Sequence, residues 1–592
     1  MNILKWMSIR ERAAGKTGRP LPVSRDRACE GPVHLEGESK TAIETGRTRL
    51  LLGGLIFVFA FSVIGVRLVD VTVIDPENRV RPTVSQGPAE LRMERADIVD
   101  RNGQILATSL PTVSLFAHPK DIRDAKAAAL GIHRVLPELS EADLLAKLTS
   151  DKTFVYLKRN LTPKQHYEIN RLGQPGLDFE SSERRVYPQG PLAAHVVGLA
   201  DLDNKGIAGV EKTFDGELRQ AGEPLRLSID LRVQESLRSE LQTAIAKSSA
   251  IGATGMVMDV QTGELLAMVS LPDFDPNLPA TQLPEAMFNR ATLGTYEMGS
   301  TFKLFTAAAS LDAGVANMGS TFDARAPIKI SRFEIKDYHP MNKFLSIEEI
   351  IIHSSNIGAA RMALDLGTAG QKAFLSRIGM LKPASSLELP EVGSPQVPQT
   401  WREINTMTIS YGHGLSVTPV HLAMGVATLV NGGMHVPPTL IRREPGEQID
   451  ASRVISAKTS ESMRKLMRAV VEAGTGSKAG TNGYEVGGKT GTAEKLSVHG
   501  GYAKKALLSS FIGAFPINNP RYVVLAMIDE PKGTKETFGF ATGGWVAAPV
   551  VSRVVARIGP LLGVAPSFEP VGGEQPGRQA SWGTGVRKVA SN

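Results

Sequence analysis

The chain of 592 residues contains a single cysteine, Cys29, so it offers no pair for an internal disulfide. Its 11 histidines show no HExxH spacing and no paired cysteines accompany them, which leaves no signature of a zinc site. We therefore expect no metal and no cofactor. Any catalytic function has to be performed by ordinary side chains.

A basic excess is also missing from most of the chain. The formal net charge is +7, but residues 1–49 hold ten Lys or Arg against six Asp or Glu, which leaves only +3 for the other 543 residues. Because the excess is local, we predict no nucleic-acid partner. Hydrophobic residues at 42% and charged residues at 21% are typical of a globular protein, and the length predicts three or four units.

Charge is absent altogether from residues 50–66, and the apolar stretch reaches 20 residues when 67–69 are included. A helix of that length measures roughly 30 Å and spans a bilayer. The basic tail before it places the N-terminus in the cytoplasm. No cleavage site follows, so we predict an uncleaved, single-pass signal anchor, with the later residues on the outer side of the membrane. A buried helix of a soluble domain is the alternative.

Changes in pattern divide the chain into regions. Residues 95–103 predict a strand that enters a tight turn, while Val233, Leu237, Leu241 and Ile245 define one face of an amphipathic helix that opens a compact domain. The predicted regions are a cytoplasmic tail (1–49), the anchor (50–69), a mostly extended noncatalytic module (75–225), a catalytic domain (226–565) and a disordered tail (566–592). In the module, structural pairing is the expected role of the charged residues Arg95, Asp97, Arg101 and Glu211.

Two hairpin signatures bracket the compact domain. One joins the β-rich runs 253–260 and 265–270 through a turn containing Gly263, and the other joins 509–515 and 522–528 around Asn518-Asn519-Pro520. Two hairpins with helices between them predict an α/β (α+β) fold, in which helices cover an antiparallel sheet.

The first candidate site residue is Ser300, which precedes an Ala-rich apolar run that ends at Gly314 and so opens a buried helix. Lys303 follows one turn later on the same face. A lysine can take the proton of a serine hydroxyl if burial or a second cation lowers its pKa, which makes Ser300 a nucleophile. Ser462 and Lys465 share this spacing, but there we expect a solvated helix face. Partner residues must therefore identify the site.

A first partner is the HSSNIG segment at residues 353–358. It follows a helix opened by Ser346, and Glu349 completes a capping box. Ser354 and Asn356 fall where that helix breaks. The hydroxyl could relay a proton to a leaving amine, and the amide could hold both Lys303 and a substrate carbonyl. A polar turn between two helices is the alternative.

A second partner is the segment VGGKTGTAE, in which Lys489, Thr490, Gly491 and Thr492 predict a strand. The glycine indicates close approach of another backbone, and an edge strand of this kind could pair with an extended peptide. Lys489 would attract a terminal carboxylate and lower the pKa of Lys303.

Two nucleotide-binding patterns overlap this region. Residues 483–490 match the phosphate-loop expression and 474–479 weakly match a dinucleotide fingerprint. We reject both, because the first follows a loop-like segment instead of a strand and the second follows a helix.

The three motifs Ser300-x-x-Lys303, Ser354-x-Asn356 and Lys489-Thr490-Gly491 occur in the order found in penicillin-binding proteins and class A β-lactamases. Together with the phrases RADIVDRNG, GVEKTFDGEL, FNRATLGTYEMGSTFK and SYGHGLSVTPVHLA, they make residues 48–557 resemble the class B penicillin-binding proteins of the septal, cell-division type. One departure is Met298, where that family usually has proline.

The resemblance implies a penicillin-binding transpeptidase fold and a peptidoglycan D,D-transpeptidase that cross-links D-Ala-D-Ala stem peptides and is acylated by β-lactams. Ser300 then resembles the acylated nucleophile, Lys303 its general base, Ser354 the proton relay and Asn356 a substrate-holding amide. Lys489, Thr490 and Thr492, with Gly491 between them, resemble the family's carboxylate clamp. The backbone N–H groups of Ser300 and Thr492 match its oxyanion hole.

The resemblance also suggests a polytopic glycan polymerase and other division proteins as partners, and it implies that the anchor lies in the bacterial plasma membrane with the catalytic domain in the periplasm. Three alternatives remain: a D,D-carboxypeptidase or β-lactamase that passes the acyl group to water, a penicillin-binding sensor without turnover, and a division scaffold without catalysis.

Overall fold

The structure is a computed structural model of the chain. It describes residues 38–69, 95–220, 222–281, 283–330, 333–496 and 501–568. Cys29 and most of the predicted cytoplasmic and C-terminal tails lie outside these residues.

The N-terminal helix α1 covers Glu38–Val69 and thus begins twelve residues before the predicted anchor. Apolar side chains along it are exposed, as shown by Phe57 at 68% and Phe59 at 72%. Over the ranges that the structure describes, no helix combines the length and the apolar character needed to cross a membrane. Residues 1–90 and 91–592 form two separate units.

The second unit begins with a module whose central strand, β2, pairs with both β3 and β4 in antiparallel register. The strand and turn predicted for residues 95–103 are present, because β1 is followed by a turn and pairs with the start of β2. Several helices lie among these strands. The elements are β1 (Ile98–Val99), β2 (Ile105–Ala117), α2 (Ala125–Val135), α3 (Glu141–Leu148), β3 (Val155–Leu161), α4 (Pro163–Asn170), β4 (Leu177–Val186), α5 (Ala194–Val197), β5 (Leu199–Ala200), β6 (Gly206–Ala208), α6 (Gly209–Thr213), α7 (Asp215–Leu218) and β7 (Leu225–Arg226).

A buried ion network joins the start of the module to its end. The Glu211 carboxylate accepts from Arg95 Nε and from Arg185 Nε, each at 2.7 Å, and Arg95 Nη1 also donates to Asp215 at 2.7 Å. The Arg95 and Arg185 side chains are each 2% exposed, and Glu211 is fully buried. Structural pairing is therefore the role of Arg95 and Glu211, as predicted.

The remainder of the second unit contains helices, one large sheet and several short strand pairs. Its elements are α8 (Leu231–Ser248), β8 (Gly252–Asp259), β9 (Leu265–Leu271), α9 (Pro284–Met287), β10 (Tyr296–Glu297), α10 (Lys303–Asp312), β11 (Thr321–Asp323), β12 (Ile328–Ile330), β13 (Phe333–Ile335), β14 (Phe344–Ser346), α11 (Ile347–His353), α12 (Asn356–Arg377), α13 (Glu403–Ile409), β15 (Ser416–Val417), α14 (Pro419–Val430), β16 (Met434–His435), β17 (Ser452–Arg453), α15 (Ala457–Ala473), β18 (Gly487–Leu496), β19 (Tyr502–Phe515), β20 (Tyr522–Asp529), α16 (Gly543–Val546) and α17 (Ala548–Leu561).

Five strands form the main sheet of this domain in the order β18-β19-β20-β8-β9. All neighbouring pairs are antiparallel, and both predicted hairpins are present as β8-β9 and β19-β20. The sheet joins the first and last parts of the domain at its centre, because β20 pairs with β8. Strand β18 forms one edge.

Helices cover both faces of the sheet. On β20, Val524 and Ile528 belong to the core shared with α8 and α17, while Val523 and Leu525 belong to the core shared with α10, α12 and α14. This alternation follows from the two-residue period of a strand. The result is a layered, mixed α/β domain in which the edge strand β18 lies next to the turn before α10.

Candidate active site

Ser300 lies in the short 3₁₀ turn Gly299–Phe302, which leads directly into α10. Gly299 has a φ of +54°, and a Cβ atom at this position would lie only 2.7 Å from the carbonyl oxygen of Thr492. Glycine is thus required both by the left-handed backbone and by the close approach of β18. The turn presents a partly exposed Ser300 beside the edge strand.

The Lys303 amine lies at the centre of the site. Its Nζ is 2.8 Å from Ser300 Oγ, 3.0 Å from Ser354 Oγ, 2.7 Å from the Ser354 carbonyl oxygen and 2.8 Å from Asn356 Oδ1. An ammonium group has three protons for these four oxygen atoms. A neutral amine has two protons and one lone pair, and only this form can accept a hydrogen bond from the Ser300 hydroxyl and take its proton.

Ser354 and Asn356 come from the break between α11 and α12. The predicted capping box is present, since Ser346 Oγ accepts from Glu349 N at 3.2 Å and Glu349 accepts from Ser346 N at 2.9 Å. At the other end of α11, Ser354 adopts the left-handed conformation with a φ of +58°. Asn356 then opens α12. The sharp turn brings the Ser354 hydroxyl and the Asn356 amide to the same amine.

Asp337 fixes this break and was not found by sequence reasoning. Its carboxylate accepts from Asn356 N at 2.6 Å, Ile357 N at 2.9 Å and Ser355 Oγ at 2.7 Å. The side chain thus caps α12. No local pattern signals it, because the contact joins the loop after β13 to a helix that starts 19 residues later.

Lys489 is fully buried on β18. Its Nζ donates to Ser354 Oγ at 3.0 Å, to Thr490 Oγ1 at 3.3 Å and to the Thr490 carbonyl at 3.2 Å. The Ser354 hydroxyl therefore lies between two amines. A proton can pass through it in either direction.

The pKa values of both amines at this site are lowered. Burial, and next the positive charge of Lys489, hold the pKa of Lys303 well below its usual range, although Asp337 acts in the opposite direction. Burial alone lowers the pKa of Lys489 to about 7. The effect of Lys489 on Lys303 has the predicted sign.

Gly491 and Thr492 continue β18 past Ser300. A Cβ at Gly491 would lie 2.3 Å from Ser510 Oγ and 2.8 Å from the Met298 carbonyl, so the predicted close approach at this glycine is present. Thr492 Oγ1 accepts from Gly543 N at 3.1 Å. Thr475, a further residue missed by sequence reasoning, is hydrogen-bonded to Thr490 through their hydroxyls at 2.8 Å.

The competing motifs lie elsewhere or in other conformations. Lys465 is 71% exposed and pairs with Glu461 on the surface of α15, which confirms the solvated helix face predicted for Ser462 and Lys465. Residues 487–490 are part of β18 and pair with β19, so they do not form a phosphate loop. The described residues contain no group of three or more His, Cys, Asp or Glu side chains suited to a metal ion.

Comparison with known proteins matches two families in succession along the chain. Residues 91–223 match the penicillin-binding protein dimerisation domain, and residues 253–556 match the penicillin binding protein transpeptidase domain.

Curated relatives are similar over most of their length. The chain is 43% identical to the probable peptidoglycan D,D-transpeptidase FtsI of Caulobacter vibrioides over 81% of this chain and 83% of the relative. It is 31% identical to the peptidoglycan D,D-transpeptidase FtsI of Escherichia coli K12, over 88% and 92% respectively.

Solved structures show the same fold. Penicillin binding protein 3 of Mycobacterium tuberculosis, in complex with aztreonam, superposes with a TM-score of 0.63 at 24% identity, over 80% of this chain and 97% of that one. A peptidoglycan synthetase of Bifidobacterium adolescentis superposes with a TM-score of 0.64 at 23% identity, over 81% of this chain and 97% of that one. The fold, the two matched domains and the identity to curated relatives show that the chain belongs to the class B penicillin-binding proteins.

Proposed function

We propose that the protein is a serine-type peptidoglycan D,D-transpeptidase that cross-links stem peptides and is the target of β-lactams. The observation that carries the proposal is the contact of three motifs from distant parts of the chain, in which Ser300 touches Lys303 and the Ser354 hydroxyl connects Lys303 to Lys489. The identity to named D,D-transpeptidases supports the same conclusion.

In the first half of the reaction, Lys303 Nζ takes the proton of Ser300 Oγ, and the oxygen attacks the carbonyl carbon of the D-Ala-D-Ala bond. The backbone N–H groups of Ser300 and Thr492 hold the oxyanion, a contact typically worth about 3 to 4 kcal/mol per donor. The carbon–nitrogen bond breaks, and Ser354 relays the proton from Lys303 to the departing D-alanine. Lys489, Thr490 and Thr492 bind the substrate carboxylate, and Asn356 orients the peptide.

In the second half, the amine of a neighbouring stem peptide attacks the ester and releases Ser300. The energy of the original peptide bond is kept in the acyl-enzyme. Cross-linking therefore proceeds on the outer side of the membrane without ATP. Edge strand β18 supports this role, because an extended stem peptide can pair with it as an additional strand.

Covalent labelling tests the proposal. Wild-type protein should become labelled by a fluorescent penicillin, and Ser300→Ala should abolish the label. Ser462→Ala is the matched control, since Ser462 has the same spacing to a lysine on an exposed helix face, and it should label normally. Full labelling of Ser300→Ala, or none of the wild type, would contradict the mechanism.

Turnover separates the transpeptidase from its alternatives. With a lipid-linked substrate, a carboxypeptidase would release free stem peptides and a sensor would stop at the acyl-enzyme. If the protein is a scaffold, its Ser300→Ala variant would still support growth. A transpeptidase gives cross-linked product and fails complementation with that variant.

We extend the proposal to a single-pass anchor formed by residues 50–69 in the plasma membrane and to a role at the division septum. The uncharged run 50–66, the exposed apolar side chains on α1 and the relatives named FtsI support it. A polytopic glycan polymerase is the proposed partner.

Deleting residues 1–69 should release the protein from membranes, and a fluorescent fusion of the full chain should collect at division sites. Even distribution along the cell would contradict the septal role.

A further inference from the structure

A second group of polar side chains lies beside the nucleophile turn and is separate from the contacts between Ser300 and the two lysines. It consists of Glu297, His413 and Tyr502, and we call it the Glu297 cluster. Glu297 is three residues before Ser300 and is 9% exposed. His413 Nδ1 is 3.2 Å from one oxygen of its carboxylate, and the Tyr502 hydroxyl donates to the same oxygen at 3.1 Å.

The backbone fixes the position of His413 relative to the nucleophile. The Gly412 carbonyl accepts from Gly299 N at 3.2 Å, and a Cβ at Gly412 would lie 2.0 Å from the Gly299 oxygen. Gly414 N donates to the Glu297 carboxylate at 2.7 Å. The segment that carries His413 is thus pressed against the turn that presents Ser300 and is tied to it on both sides of the imidazole.

The cluster orients the imidazole. Burial raises the pKa of Glu297, but hydrogen bonds from His413, Gly414 and Tyr502 lower it further, so that the net pKa is below its ordinary value and the carboxylate is ionised. An anion next to Nδ1 favours the tautomer with its proton on Nδ1. Nε2 is then an acceptor, and no residue in the described part of the chain is hydrogen-bonded to it. The side chain is 28% exposed, so a solute can reach it.

The second half of the proposed reaction needs such a group. An amine enters from neutral solution as an ammonium ion, because its ordinary pKa is about 10, and it cannot attack until it loses a proton. The Lys303 amine is buried, and four oxygen atoms of the chain already surround it. The Glu297 carboxylate attracts a cation, and the partly exposed imidazole next to it can accept the cation's proton.

Resting on the proposed transpeptidase function, we infer that His413, oriented by Glu297, is the base that deprotonates the incoming acceptor amine. The ammonium gives one proton to His413 Nε2, and the neutral amine attacks the acyl carbon. A carbon–nitrogen bond forms and the bond to Ser300 Oγ breaks. The second amine proton passes through Ser354 and Lys303 to Ser300 Oγ, and His413 later releases its proton to water.

The test measures the two halves of the reaction separately on the full-length protein in detergent. Acylation is followed with a fluorescent penicillin. Acyl transfer is followed with an N-acyl-D-alanyl thioester as donor and D-alanine as acceptor, and the readout is the ratio of aminolysis to hydrolysis products. For His413→Asn this ratio should fall about a hundredfold, the lower end of the range for general base catalysis, while acylation changes less than about threefold. Glu297→Gln should also lower this ratio, by a smaller factor than His413→Asn does.

The matched control is His166→Asn in the module, a partly exposed histidine that lies edge-on against Phe179 with ring centres 4.4 Å apart. It should alter neither half of the reaction. An unchanged ratio in both cluster variants would overturn the inference. So would an equal fall in acylation and aminolysis, since that result indicates a structural role. A wild-type protein that penicillin does not acylate would instead refute the proposed function, and it is recognised before any acceptor is added.

Discussion

Replacing Lys489 with methionine should make the protein more stable near neutral pH while it removes part of the active site. Lys489 is fully buried, and burial lowers its pKa from 10.5 to about 7 in the folded state. The unfolded chain binds its proton up to the ordinary pKa. Between the two values the unfolded state holds more protons than the folded one, so the wild-type protein gains stability as the pH rises from about 7 to about 10.5.

The size of the effect follows from this difference in pKa. The difference between 10.5 and about 7 corresponds to about 5 kcal/mol. The buried lysine lowers the free energy of unfolding by about this amount at pH 7 and below. Methionine carries no such pH dependence. It also loses the hydrogen bonds to Ser354 and Thr490, a constant cost of about 1 to 3 kcal/mol. The relief of repulsion on Lys303 has the same sign as the main effect.

Denaturant unfolding of wild type and Lys489→Met at pH 7, 8.5 and 10 measures the effect. The advantage of the variant should be largest at pH 7 and should decrease steadily toward pH 10. Lys465→Met is the control, because that side chain is 71% exposed and its substitution should give a difference independent of pH. The test depends on how the difference in the free energy of unfolding changes with pH, because the lost hydrogen bonds lower the stability of the variant equally at every pH. A flat difference for Lys489→Met would refute the conclusion that burial lowers the pKa of this amine.

Two further predictions concern the geometry around the amines. Asp337→Asn should move the acid limb of the pH profile of penicillin acylation to lower pH, because the Asp337 carboxylate raises the pKa of Lys303. An unchanged limb, or one displaced to higher pH, would contradict this assignment. Gly491→Ala should slow acylation at least tenfold and lower stability by about 1 to 3 kcal/mol, since its Cβ would meet the Met298 carbonyl at 2.8 Å and Ser510 Oγ at 2.3 Å. Gly216→Ala, with nothing within 4 Å of the new atom, should change neither property.

Short-range patterns allowed much of the site to be predicted from the sequence. The spacing of Ser300 and Lys303 sets their contact through helical geometry, and the capping box of Ser346 and Glu349 marks the start of α11. The glycine at 491 indicated a crowded strand. Each of these signals lies within a few residues, where the backbone alone determines the geometry.

Contacts between distant segments could not be predicted in this way. Asp337 and Asn356 are separated by β14 and α11, and Tyr502 reaches Glu297 across 205 positions, so neither contact has a local signature. The helices of the module are a different case. Thr162 and Gln165 form a capping box that begins α4, a pattern visible in the sequence that our prediction of an extended module did not use.

The edge position of β18 has a consequence for the evolution of drug resistance. A ligand that pairs with this strand is held by peptide groups, which every amino acid carries alike, so changing the exposed side chains cannot remove those bonds. A substitution that weakens these backbone bonds has to displace the strand itself. The positions able to do so lie behind it, where Ser510, Gly543 and Thr475 support its inner side.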